Sequence, residues 1–161
     1  MFAVIWKTLA IGIGATALMD LWAVLLNRVF GLNLPNWALV GRWFAHIPRG
    51  RLFHKDIAQA EPVANELAIG WAAHYVTGIA YAALLVAFAG PAWLSEPSLG
   101  PALALGLVTI LAGWFLLQPG MGAGWAAARK PNPWQVRGLN LLAHTVFGFG
   151  LFASAWLIAG A

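Results

Sequence analysis

Ala73-His74-Tyr75-Val76-Thr77-Gly78 lies inside a long apolar run and recurs in outline as Ala143-His144-Thr145-Val146-Phe147-Gly148 inside another. An ionisable side chain at bilayer depth is costly unless it faces protein or water, so each histidine marks a candidate site. At 1.5 Å rise per residue, His74 falls roughly 12 Å beyond Glu66 and His144 roughly 10 Å beyond Arg137, the charges that open their helices. Gln118 stands about 16 Å above Arg129, a similar depth. Asp20, counted inward from Lys7, comes within roughly 10 Å of the same boundary. The sequence therefore predicts one polar layer of Asp20, His74, Gln118 and His144 within a membrane protein.

Composition agrees with that class. Of the 161 residues, 61% are hydrophobic and only 9% charged, and the mean hydropathy is +0.77; ordinary soluble domains carry about 25% charge. The four long apolar stretches each supply the roughly 20 residues that a bilayer crossing needs. They are expected at about 3-30, 63-88, 101-128 and 134-158, in one transmembrane domain of residues 1-161 and an all-α, polytopic fold. Asp20 interrupts the pattern a signal-peptide cleavage site would need, so the first stretch is read as a retained helix. With no cysteine, disulfides, thiolate metal sites and iron–sulfur clusters are excluded. The net charge of +4 does not indicate nucleic acid, because most cations lie in two loops beside apolar helices, where anionic lipid is the natural partner.

The loop 33-62 holds Arg42, Arg49, Arg51 and Lys55, with Arg28 just before it. Within it, Asn36 is placed to cap a short helix whose Trp37, Val40, Phe44 and Ile47 share one face while Arg42, His46 and Arg49 lie elsewhere. That pattern predicts an interfacial amphipathic helix. His46 and His54 flank the basic turn Pro48-Arg49-Gly50-Arg51, which suits a lipid headgroup phosphate or a metal; solvated loop residues are the plainer alternative. In the third apolar stretch, Pro119 within Gln118-Pro119-Gly120 removes a helical hydrogen bond and predicts a kink or break. The histidine segments fall on helices of the same orientation, so a 2+2 repeat of parallel hairpins is expected.

Met19-Asp20-Leu21-Trp22, Gly41-Arg42-Trp43-Phe44-Ala45-His46-Ile47-Pro48-Arg49-Gly50, Gln118-Pro119-Gly120 and Ala128-Arg129-Lys130-Pro131-Asn132-Pro133 together resemble the bacterial integral-membrane family numbered 2938 among domains of unknown function. The resemblance spans nearly the whole chain and implies a four-helix protein of the bacterial inner membrane. It implies no activity and no site residues.

Several functions remain open at this level. A small transporter or a ligand- or ion-binding protein would use Asp20 as the charge centre and the histidines as proton or cation partners. A redox module would hold haem between His74 and His144, or a divalent metal on His74, His144 and Asp20. A structural accessory subunit is the third class, compatible with the ten tryptophans. No nucleophile elbow surrounds Ser95, Ser98 or Ser154, so soluble-type hydrolysis has no support. Four helices are few for a complete pathway, which makes a homo-oligomer or a larger membrane complex the expected setting.

Positive-inside topology places both basic loops in the cytoplasm and both termini outside. A reporter fused after Ala161 is expected to read extracytoplasmic; a cytoplasmic signal there would overturn the topology and the shared depth built on it.

Overall fold

A computed structural model describes residues 1–160 and, among them, only helices, turns and irregular segments. Four helices are long and apolar enough to cross a membrane: α1 (Phe2–Phe30), α3 (Glu66–Ala89), α4 (Leu99–Gly120) and α5 (Pro133–Ile158). Between the first two lies the short α2 (Trp37–His46). Only 22 to 28% of the most apolar window in each long helix is buried. Most of those side chains face outward, an arrangement suited to hydrocarbon and unstable in water.

Local chemistry sets the ends. Gly31 closes α1 in the left-handed conformation, its N–H bonding the Asn27 carbonyl at 2.9 Å, a conformation that only glycine adopts without cost. The Asn36 side chain accepts from the Leu39 N–H at 3.2 Å and starts α2 as expected. After Ile47, Pro48 allows only one further 3-10 turn, Ile47–Arg49. The helix expected to reach residue 128 stops at Gly120 instead. A π-helical turn, Gly113–Leu117, precedes Pro119. Beyond it Gly122, Gly124, Ala126 and Ala127 all have positive φ, which no right-handed helix accommodates.

Contacts group the chain into two compact units. The first comprises residues 1–34, residues 75–109 and α5 from Leu141 onward. Its core includes Ile11, Ala82, Leu85, Trp93, Phe147 and Leu151. Helices meet there through glycine, since small residues let backbones approach closely in apolar surroundings. A Cβ on Gly12 would sit 3.0 Å from the Gly78 carbonyl oxygen and closer still to Ile79 Cα, and one on Gly106 would press on Gly148 Cα at 2.6 Å. The glycine that ends each histidine motif is thus the contact point with the preceding long helix. In both places a threonine donates back to the partner glycine's carbonyl at 2.7 Å: Thr16 to Gly12, Thr109 to Gly106. In each motif copy the terminal glycine packs on a glycine of the preceding long helix.

The second unit comprises residues 35–74 and 110–140. Here α2 lies against the first turns of α3, because Gly41 and Gly70 remove the side chains that would separate them; a Cβ on Gly41 would strike the Glu66 carbonyl oxygen and one on Gly70 the Trp37 carbonyl oxygen. The segment 51–59 then runs along the end of α4, with His54 N–H bonding the Gly120 carbonyl at 2.9 Å and Ile57 N–H the Met121 carbonyl at 3.1 Å.

Because the Gly106–Gly148 contact is backbone on backbone, neither helix can yield by a rotamer change. Gly148→Leu is expected to cost about 1–3 kcal/mol by overpacking, whereas Gly138→Ala, which meets nothing within 4 Å, should stay within about 1 kcal/mol. Thermal melts in detergent micelles compare them.

Candidate functional site

The sequence predicts an interfacial amphipathic α2 with Arg42, His46 and Arg49 off its apolar face. In the structure two of those three polar residues are buried while the apolar stripe is half-buried to exposed. Arg42 is 8% exposed and His46 fully buried, whereas Ile47 on the apolar stripe is 37% exposed. The reason is that Arg42 finds more partners inside than water on a surface would justify giving up. Its Nε donates to Glu66 Oε2 at 2.8 Å and its Nη2 to Oε1 at 2.9 Å, a two-pronged ion pair with the residue that opens α3. Its Nη1 faces the carbonyls of Ile57, Ala58 and Ala60 at 3.2, 3.1 and 3.0 Å. The Glu66 hydrogen bond, working against burial, raises the Arg42 pKa above its ordinary value.

His46 and His54 do come together, as their spacing around the basic turn suggests, but through a direct bond. His46 Nδ1 lies 2.9 Å from His54 Nε2, and His54 Nδ1 lies 3.1 Å from the Gly120 carbonyl oxygen. A carbonyl only accepts, so His54 donates from Nδ1; in the neutral pair its Nε2 then accepts from His46 Nδ1–H. His46 Nε2 is buried and makes no hydrogen bond. Burial first and neighbouring His54 second lower the His46 pKa, against an opposing pull from the Glu61 backbone. Buried as it is, His46 meets neither solvent nor a lipid headgroup; Arg49, on the exposed turn, remains outward.

The four residues of the predicted layer divide between the units. In the first, Tyr75 Oη donates to Asp20 Oδ2 at 3.0 Å, tying α1 to α3 by a carboxylate and a phenol. His144 Nδ1 lies 3.1 Å from the Gly106 carbonyl oxygen and 3.0 Å from Thr109 Oγ1. Since the Thr109 hydroxyl proton already goes to Gly106, the imidazole must donate from Nδ1, which makes Nε2 its acceptor nitrogen. In the second unit, His74 stacks on Trp37 with ring centroids 3.9 Å apart, and Trp71 stands edge-on at 6.0 Å. Gln118 Nε2 donates to Asn140 Oδ1 at 2.8 Å, and that oxygen also receives the Trp114 indole N–H at 3.1 Å. Among the described residues, no group of three or more His, Cys, Asp or Glu is placed to hold a metal ion.

Tyr75, Thr109, Trp114 and Arg42 are the partners that sequence reasoning missed. Two had a visible signal: Tyr75 is inside the repeated motif, and Trp114 precedes Gln118 by one helical turn, the spacing that puts side chains on one face. Thr109 and Arg42 had none, since their partners lie 35 and 24 residues away.

Residues 9–158 match the family described as "Protein of unknown function (DUF2938)". The chain belongs to DUF2938. No curated protein and no solved structure matches it. As a DUF2938 member with four membrane-length apolar helices, it is a membrane protein, and what it does within the membrane must be argued from its polar groups.

Truncating the acid of the buried pair should hurt more than deleting the pair. Glu66→Ala leaves a guanidinium inside without its carboxylate and is expected to lower Tm below that of the double variant Arg42→Met with Glu66→Leu, which should recover only part of the loss because the carbonyls of Ile57, Ala58 and Ala60 also lose their donor. Equal Tm values for the two would show that the pair is of the weak, solvated kind.

Proposed function

We propose that this DUF2938 protein is a small ion- or ligand-binding membrane protein of the transport class, with Asp20 as the charge at its binding site. The observation that carries the reading is the Asp20–Tyr75 bond, 3.0 Å long, in the interior of the 29-residue apolar helix α1. A carboxylate on such a helix is expensive, and in membrane proteins acids so placed mark ion or proton pathways. A carboxylate accepts at roughly four lone-pair positions and carries the negative charge that a cationic ligand would meet. His144, its Nε2 left as the acceptor by the bond at Nδ1, supports a proton-accepting role in the same unit. The bacterial inner membrane, with both termini outside, is the setting this reading requires, and an oligomer or larger complex would complete the pathway.

A second reading, a structural accessory subunit, is favoured by one observation: His144 is stitched into the Gly106–Gly148 contact through Gly106 and Thr109, where it fixes helix register as well as any functional role would.

Native mass spectrometry of the protein purified in nanodiscs separates the two. A small ion or ligand bound to the wild type should be lost in Asp20→Asn and weakened in Tyr75→Phe while both variants stay folded. If binding is absent or indifferent to Asp20→Asn, and the substitution only lowers Tm, the structural reading stands instead.

A further inference from the structure

Trp114, Gln118 and Asn140 meet where α4 departs from regular helix. An indole N–H can only donate, so the Asn140 atom 3.1 Å from Trp114 Nε1 is the oxygen Oδ1. That oxygen also lies 2.8 Å from the Gln118 amide. Two acceptors do not bond, so the Gln118 atom facing it is Nε2. The orientation of the Gln118 amide is thereby settled by chemistry, and its Oε1 is turned elsewhere. This oxygen is buried and has no hydrogen-bond partner, a condition that costs about 1–3 kcal/mol unless a donor or a cation meets it.

The main chain adds acceptors on the same turn. Through the π-helical stretch the Gln118 N–H bonds the Gly113 carbonyl, so the Trp114 carbonyl loses the donor four residues on. The next donor in line would be Pro119, which has no N–H. Pro119 is also the missing regular donor for the Phe115 carbonyl. A long helical side chain leans back over the residues three and four positions before it, which for Gln118 are Phe115 and Trp114. An unpartnered amide oxygen and two carbonyls deprived of helical donors therefore belong to one short arc of helix. Such π-helical breaks occur frequently at functional sites.

The chemistry of these atoms restricts the ligand. They are neutral oxygens, which repel anions. Neither α4 nor α5 carries an aspartate or glutamate, the groups on which calcium and magnesium depend, and soft metals prefer sulfur or imidazole. Carbonyl-type oxygens replace the water around an alkali ion or accept the N–H bonds of ammonium.

We propose that the break in α4 at Gln118 is a binding site for a monovalent cation of the alkali or ammonium class, held by Gln118 Oε1 and the Trp114 carbonyl, with Asn140 and the Trp114 indole clamping the amide. This site lies in the second unit, Asp20 in the first, and the inference does not depend on the Asp20 reading.

The test measures Tm of the full chain in detergent micelles while N-methylglucamine chloride is replaced by sodium, potassium or ammonium chloride at constant ionic strength. A ligand that binds only the folded state raises Tm saturably, and one of the three ions should do so. Gln118→Leu deletes the unpartnered oxygen, so it should be at least as stable as wild type without the ion, yet its apparent Kd should rise at least about tenfold. Pro119→Ala restores a main-chain N–H and should weaken the response in the same direction, and Asp20→Asn should leave it in place. If Gln118→Leu does not fold, Gln118→Met, of similar length and without the oxygen, carries the same comparison. No ion-specific rise in the wild type would mean that water alone meets Oε1, and a rise unchanged by Gln118→Leu would put the ion elsewhere; either result overturns the proposal. A response lost in Asp20→Asn but kept in Gln118→Leu would overturn it too, while leaving the function proposed for Asp20 intact.

Discussion

Hydrocarbon neither donates nor accepts hydrogen bonds, and the polar groups on the long helices are disposed accordingly. Thr8, Thr16 and Thr145 each return their hydroxyl protons to the carbonyl one turn back in their own helix. Lys7 reaches the Ala159 carbonyl at 3.1 Å, where a cation also suits the C-terminal end of α5. Asp20 has Tyr75, His144 has Gly106 and Thr109, and Gln118 has Asn140. Against this background the few polar atoms left without a partner gain their meaning. Among the described residues these are Trp22 Nε1, His46 Nε2 and Gln118 Oε1, and Gln118 Oε1 became an orphan because the partner of its neighbouring nitrogen fixed which way the amide faces.

The two histidine motifs separate packing from chemistry. Their terminal glycines, Gly78 and Gly148, serve the same purpose, because close helix contact needs only the absence of a side chain. Their histidines diverge. His144 bonds a carbonyl and a threonine on α4, whereas His74 lies flat on Trp37 of α2. A repeated sequence can preserve a backbone contact while each copy acquires its own side-chain partners, and only the first of these is visible in the repeat.

The second unit is organised differently, around charge turned inward. Arg42 gathers Glu66 and three carbonyls of the segment 57–60, so one guanidinium holds α2, the start of α3 and the chain between them. The planar fork of arginine allows this, since its donors are fixed in directions that a lysine ammonium could not supply together. The His54 bonds to Gly120 then join that assembly to the end of α4.

Four membrane-length helices, the family, the Asn36 cap and a break near Pro119 were legible in the sequence, because hydropathy, capping chemistry and the missing proline N–H act locally along the chain. The same local logic put Asp20, His74, Gln118 and His144 forward as polar groups needing partners. It did not name those partners: Thr109 is 35 residues from His144 and Asn140 is 22 from Gln118, and such separations leave no periodic trace. Nor did it foresee the burial of α2's polar face. Helical spacing shows that two faces differ, but which one turns inward depends on whether the interior offers enough hydrogen-bond partners. For Arg42 that was decided by Glu66 and the carbonyls of Ile57, Ala58 and Ala60, which are brought together only by the tertiary structure.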